Sequence, residues 1–107
     1  MKLDLNVLKN ETLDLAISED LTLCIKKPGK GLLVEVHKMD IDMNKTVKFE
    51  EIVEKLETIV CKILSNNTSK QVVTATDLEE WSIDYNTQLN LYKAYMQFIN
   101  TISANPN

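Results

Sequence analysis

The chain has 107 residues, of which 44% are hydrophobic and 26% are charged, and these proportions are ordinary for one globular domain. They exclude a chain that is disordered throughout, because disorder requires lower hydrophobicity and higher net charge. The net charge is −4 and all twelve basic side chains are lysines, which argues against nucleic-acid binding. No apolar run approaches the roughly 18 residues of a membrane span, and none resembles a secretion signal. We therefore expect a soluble intracellular protein.

The first third of the chain carries apolar residues at every second position. Two such runs, residues 12–17 and 21–26, flank a polar turn at residues 18–20. A period of two predicts strands that each have one apolar face. A Pro-Gly pair within residues 27–31 predicts a second tight turn of type II, and residues 32–37 then predict a third strand. The expected structure is an antiparallel hairpin or a three-stranded meander, in an open sheet or a small barrel.

The apolar spacing then changes to steps of three and four residues, which predicts amphipathic helices. One helix of about 18 residues is predicted from residue 49 onward, with Thr46 as its N-cap. Thr76 and Glu79 fit a capping box, which predicts the start of a short helix that carries Leu78 and Trp81.

The last helix is predicted at residues 84–103, before a proline that cannot continue it. The chain is thus predicted to be one α+β domain over residues 1–107. Its β-rich part covers residues 1–38, and its helical part, residues 46–104, has two long amphipathic helices with a short helix between them.

The last helix has more apolar surface than an ordinary surface helix. Its apolar residues form two stripes that together cover more than half of the circumference, whereas one stripe is usual. A small domain has one core, so the second stripe is predicted to need another partner, either a neighbouring subunit or a bound chain. The first stripe comprises Tyr85, Leu89, Tyr92, Met96 and Ile99, and the second stripe comprises Leu91, Tyr95, Phe98 and Ile102.

Side chains that usually carry out chemistry are few in this sequence. His37 is the single histidine and has no nucleophile placed near it in the sequence. Cys24 and Cys61 match no metal or redox spacing and are expected to be reduced cysteines of the core. Glycine occurs only at positions 29 and 31, so no phosphate-binding loop is present. The sequence predicts no catalytic residue, no cofactor and no metal.

The C-terminal part of the chain has a tyrosine-rich helix that contains Tyr95-Met-Gln-Phe98-Ile99, and it ends in Asn105-Pro106-Asn107. Residues 60–67 lead into a polar loop, and a β-rich segment precedes the helices. These features resemble the tail assembly chaperones of long-tailed bacteriophages of Gram-positive hosts, most of all the lactococcal-phage tape measure protein chaperone. The resemblance covers residues 48–107 well and residues 1–45 only loosely, and it depends on short motifs.

The resemblance implies a non-enzymatic protein of the bacterial host cytoplasm that binds hydrophobic helical segments of the tape measure protein before the tail tube polymerises. Such segments aggregate when they are exposed to water, and a homo-oligomeric chaperone could cover them. Aromatic anchors commonly dominate interfaces of this kind. The predicted partner-binding residues are Trp81, Leu91, Tyr95, Phe98 and Ile102.

Three alternatives stay open at this point. The chain could be a homo-oligomeric structural component of the virion, in which the second stripe pairs with itself. It could be a small regulatory or inhibitor protein that binds a host enzyme. Whichever function applies, the chaperone included, the second stripe could instead belong to the chain's own core, because aromatic residues at helical spacing are usually buried.

Overall fold

The computed structural model describes residues 4–5, 11–45 and 48–104, with side chains as far as residue 100. In these ranges an antiparallel β-hairpin is followed by four helices, so the α+β class predicted from the sequence is confirmed. The elements in chain order are β1 (Thr12–Ser18), β2 (Leu21–Lys26), α1 (Lys30–Met43), α2 (Phe49–Ser65), α3 (Ala75–Glu80) and α4 (Tyr85–Ala104).

The hairpin forms where the period of two predicted it. Leu13 lies opposite Ile25 and Leu15 lies opposite Leu23, so the apolar side chains of both strands share one face. Leu23 and Ile25 are buried against α2, while the facing residues of β1 are only half-buried. The sheet has two strands in the described residues, which makes it an open hairpin instead of a meander or a barrel.

The third strand predicted at residues 32–37 is wrong, because these residues belong to α1. The buried residues Val36 and Met39 and the half-buried Met43 follow one another at steps of three and four, which is a helical spacing. Residues 32–34 are all apolar, so the helical spacing cannot be recognised within residues 32–37 alone. The type II turn is wrong as well, since Gly29 has a φ of −74° and serves as the N-cap of α1.

Helix α2 is the centre of the fold and confirms the helix predicted from residue 49. It packs against β2 and the three other helices. Lys48 occupies its N-cap position, and the predicted cap Thr46 lies outside the described residues. Burial of a large aliphatic side chain contributes about 1.5–3 kcal/mol, so this face is the main apolar contribution to stability. Its buried residues are Leu56, Ile59, Val60, Ile63 and Leu64.

The loop after α2 ties that helix to the hairpin. Asn67 is 1% exposed, and its Nδ2 donates to the carbonyl oxygens of Leu64 and Gln71, both at 2.8 Å. Its Oδ1 accepts the backbone N–H of Gln71 at 3.0 Å. The Nδ2 of Asn66 donates to the carbonyl oxygen of Lys26 at 3.1 Å. Because the buried side chain of Asn67 makes three hydrogen bonds, it holds the loop in one conformation.

The two C-terminal helices lie close to where the sequence placed them. The capping box of α3 is shifted by two residues from the prediction, since it pairs Thr74 with Asp77 in place of Thr76 with Glu79. The backbone N–H of Thr74 donates to Asp77 Oδ2 at 2.9 Å. Helix α4 begins at Tyr85 and matches the predicted last helix to within one residue at each end.

Candidate partner-binding groove

An apolar groove lies between strand β1 and the junction of α3 with α4, and we call it the hairpin groove. Its volume is 370 Å³. It brings together two of the five predicted partner-binding residues, Trp81 and Leu91, with apolar side chains of the hairpin. The lining residues are Leu15, Ala16, Ile17, Trp81, Ser82, Ile83, Thr87, Asn90 and Leu91.

The strand side of the groove follows from the pairing of the hairpin. Leu15 and Ile17 point to the same face as the buried residues of β2, because side chains alternate along a strand. Strand β2 contacts α2 directly, whereas β1 lies farther out, so Leu15 and Ile17 stay half-buried. Their outer surfaces are therefore available to line the groove.

The helix side of the groove is fixed by the way α3 ends. The N–H of Ile83 donates to the carbonyl oxygen of Leu78 at 2.9 Å, and the N–H of Ser82 donates to that of Glu79 at 3.1 Å. This pair of bonds with Ser82 at φ 56° is a Schellman motif, in which a left-handed residue ends the helix. The motif turns the chain sharply and holds Trp81 and Ile83 on the two sides of Ser82, at the groove.

Asp84 fixes the start of α4 beside the groove. Its Oδ1 accepts the backbone N–H of Thr87 at 2.9 Å, which satisfies one of the amides left unpaired at a helix start. The same hydrogen bond lowers the pKa of Asp84 below its usual value. The carboxylate is therefore charged at neutral pH, and it orients the first turn of the helix that carries Thr87 and Leu91.

The other three predicted partner-binding residues are placed differently. Tyr95 is 0% exposed and belongs to the core, so its prediction as a contact residue conflicts with the structure. Phe98 is half-buried and packs beside Tyr95, with the two ring centroids 6.2 Å apart. Ile102 lies in α4, and its side chain is outside the described residues. Neither Tyr95 nor Phe98 lines the hairpin groove.

The described residues of both stripes of α4 pack in or against the chain's own core, which corrects the expectation that only one stripe could. Tyr92 of the first stripe is 4% exposed, and its hydroxyl donates to the carbonyl oxygen of Val36 at 3.3 Å. Tyr95 of the second stripe donates to the carbonyl oxygen of Lys26 at 3.5 Å, at the end of the hairpin. Burial raises the pKa of each tyrosine to about 12. Helix α1, which the sequence predicted as a strand, contacts the first stripe at Tyr92, and the end of the hairpin contacts the second stripe at Tyr95.

A second groove lies between α1 and α4 and has a volume of 460 Å³. Met43, Leu89, Tyr92 and Met96 form its apolar part, and polar side chains such as Lys93 stand at its margin. Met39 of α1 does not line this groove, because it lies in the core with 5% of its surface exposed. This groove is a further apolar surface on the helical part. Its methionine side chains can adapt to varied neighbouring groups.

The two cysteines and the histidine lie in three different elements, with Cys24 in β2, Cys61 in α2 and His37 in α1. Cys24 and Cys61 are free and half-buried, so they are less buried than the sequence suggested. A hydrogen bond with Asp14 raises the pKa of Cys24, and burial raises that of Cys61, which favours the unreactive thiol. His37 is exposed on α1. In the described residues, no three His, Cys, Asp or Glu side chains are grouped as metal ligands.

Comparison with known proteins gives no relative: no protein-family model, no curated protein and no solved structure matches the chain. None of the helices in the described ranges combines the length and the apolar character that a membrane crossing requires. The hairpin groove is therefore interpreted from its own residues. The sequence identified Trp81 and Leu91, but it could not identify Leu15, Ile17 and Ile83, because only tertiary packing brings the hairpin to the start of α4.

Proposed function

We propose that the protein is a non-enzymatic tail assembly chaperone that binds hydrophobic helical segments of a phage tape measure protein in the host cytoplasm. The observation that carries the proposal is the hairpin groove, where Trp81 and Leu91 line an apolar surface with Leu15, Ile17 and Ile83. The resemblance of residues 48–107 to these chaperones supplies the class of partner. Self-association along the bound protein is part of the proposal.

The physical task suits a small protein with an apolar groove. A long helical protein with hydrophobic stretches aggregates until its assembly partners cover those stretches. A groove covers them by removing apolar surface from water, which contributes roughly 25 cal/mol for each Å² that is buried. Trp81 is suited to anchor such contacts because tryptophan is enriched among the residues that dominate interfaces.

Co-expression with a hydrophobic fragment of the tape measure protein tests the proposal. We expect the fragment to stay in the soluble fraction with the wild-type chain and to precipitate without it. We expect Trp81→Ser to lose this rescue, because the substitution removes the largest apolar side chain of the groove. Circular dichroism of the variant checks that the helices are retained.

Phe49→Ser is the matched control for Trp81→Ser. Phe49 is an aromatic residue that is 63% exposed and does not line the groove, although its ring lies 5.3 Å from that of Tyr85. This variant should keep the fragment soluble. If the wild-type chain rescues no more fragment than an empty vector does, the proposed function is wrong.

A homo-oligomeric structural component of the virion is the second candidate. The observation in its favour is that Val34 and Ile41 on α1 and Phe49 on α2 are exposed apolar side chains outside both grooves. Exposed apolar surface of this kind suits subunit contacts. Mass spectrometry of purified virions separates the candidates, because a structural component remains in the particle in many copies and a chaperone does not.

A further inference from the structure

The two stretches of chain that form the hairpin groove carry negative charge only. Residues 11–25, which include β1 and its turn, contain four acidic side chains, and residues 77–92, which include Trp81 and Leu91, contain another four. These are eight of the sixteen acidic residues of the protein, and none of its twelve lysines lies in either stretch. The groove is therefore lined by two stretches of acidic character, and Lys26 and Lys93 directly follow them in the sequence.

Four of these acidic side chains are exposed and lie within three positions of a groove-lining residue in the sequence, and we call them the acidic rim. Glu19 and Asp20 form the hairpin turn after Ile17, and Glu79 and Glu80 directly precede Trp81. In the sequence, two of them follow the strand side of the groove and two precede its helix side. Charges of one sign on both sides of a cleft add to its potential, so we expect a negative potential over the groove.

Two acidic residues in another part of the fold have lysine partners within the chain. Lys62 Nζ lies 2.7 Å from Glu35 Oε1, and Lys55 Nζ lies 3.1 Å from Asp42 Oδ2, both between α1 and α2. The two stretches that form the groove contain no lysine to do the same. A basic segment of another molecule would supply the complementary charge that these stretches lack.

We propose that the hairpin groove takes a cationic amphipathic helix, with its apolar residues in the groove and its lysines or arginines over the acidic rim. This assignment rests on the proposed function and names the chemistry of the bound segment. Apolar contacts are not directional, so they do not select one hydrophobic helix over another. Complementary charges increase the association rate and suppress wrong partners, so the acidic rim selects basic segments.

The same charges exclude a second copy of the groove as the occupant. Two hairpin grooves placed face to face would bring their acidic rims together, and like charges across an interface oppose association. Self-association of the chain therefore uses another face. The cationic helix remains as the occupant whose charge matches the rim.

Three helical peptides with identical apolar positions test the proposal with the full-length chain by isothermal titration calorimetry. Their polar positions are all lysine, all glutamine or all glutamate, which are residues of similar helix propensity. We expect the lysine peptide to bind most tightly and the glutamate peptide least tightly. Between about 0.1 M and about 1 M salt the Debye length falls from about 10 Å to about 3 Å, so the lysine peptide should lose its advantage.

A triple variant of the acidic rim, Glu19→Gln with Glu79→Gln and Glu80→Gln, tests the location of the effect. We expect it to weaken binding of the lysine peptide about three- to tenfold, the range for several exposed charges acting together, and to leave the glutamine peptide unaffected.

The matched control is Glu50→Gln with Glu51→Gln and Glu54→Gln, which removes the same charge from the exposed part of α2. It should bind all three peptides as the wild-type chain does. If both triple variants weaken the lysine peptide equally, only net charge matters and the inference is overturned.

The peptides also separate this inference from the proposed function. If the lysine and glutamine peptides bind equally and Trp81→Ser abolishes both, the groove binds apolar helices and the charge selection is refuted. If no peptide binds and the tape measure fragment is not rescued, the proposed function itself is wrong.

Discussion

The most informative residue to change is Tyr95, because its two interpretations predict opposite results. As a partner contact it would be dispensable for folding, whereas the structure buries it completely at the centre of α4. Tyr95→Ala removes a fully buried aromatic side chain and leaves a cavity among packed neighbours. Substitutions of this size cost about 3–5 kcal/mol of the free energy of unfolding.

The hydroxyl group contributes much less than the ring. The distance from Tyr95 Oη to the carbonyl oxygen of Lys26 is 3.5 Å, at the outer limit of a hydrogen bond. That carbonyl also accepts Asn66 Nδ2 at 3.1 Å, so Tyr95→Phe leaves no buried acceptor without a partner. We expect Tyr95→Phe to cost less than about 1 kcal/mol.

Urea denaturation followed by circular dichroism measures both changes. With an m-value of about 1–3 kcal/mol per molar urea, Tyr95→Ala should lower the unfolding midpoint by at least about 1 M, and Tyr95→Phe should lower it only slightly. Tyr95→Leu keeps most of the apolar volume and is expected to lie between them. A Tyr95→Ala protein within about 0.5 kcal/mol of the wild type, as for exposed positions, would show that Tyr95 is not core.

Three further predictions follow from hydrogen bonds, backbone angles and titration. Asn67→Ala should cost about 2–4 kcal/mol in the same assay, because it removes three hydrogen bonds of a buried amide and leaves backbone groups of the loop unpaired; an unchanged midpoint would contradict this role. Ser82→Gly should raise the free energy of unfolding by about 0.5–1 kcal/mol, since glycine accepts the φ of 56° without strain, and Ser82→Val should lower it. The free energy of unfolding should fall as pH rises from 10 to about 12, because unfolded tyrosines lose their protons near 10 while Tyr92 and Tyr95 hold theirs to about 12; the double variant Tyr92→Phe with Tyr95→Phe should show a smaller decline than the wild type.

Sequence periodicity predicted the strands and helices that have one continuous apolar face. Strands β1 and β2 alternate cleanly, and α2 has charged residues opposite a continuous apolar face. Each of these patterns fits one secondary structure only. They fixed the hairpin, the central helix and the last helix before any tertiary information was available.

Helix α1 was missed because its signals conflict locally. A Pro-Gly pair precedes it, three apolar residues at 32–34 are contiguous, and β-branched Val34 and Val36 follow one another at a strand spacing. The helical period appears only when Met39 and Met43 are included, and tertiary burial of Val36 and Met39 then decides the conformation. The burial of Tyr95 has a different cause, because its hydroxyl lies at the end of the hairpin, a contact that only tertiary packing reveals.

The hairpin groove could be predicted in part only. Leu91 was identified as a member of the second stripe, and Trp81 because aromatic anchors commonly dominate interfaces. Ser82 has no sequence signature for a left-handed angle, so the turn that directs Ile83 toward the hairpin was not foreseen. The acidic rim is visible in the sequence as two stretches without lysine, but its meaning depends on the packing that brings them to one groove.

Trp81 is the only tryptophan of the chain, so its fluorescence reports directly on the hairpin groove. The most direct measurement is the emission spectrum of the full-length protein during titration with a detergent-free hydrophobic helical fragment of the tape measure protein. We predict a saturable shift of the emission to shorter wavelength, because the bound helix removes the half-exposed indole from water. A fragment that the protein keeps soluble without any change in Trp81 emission would contradict the assignment of this groove as the binding site.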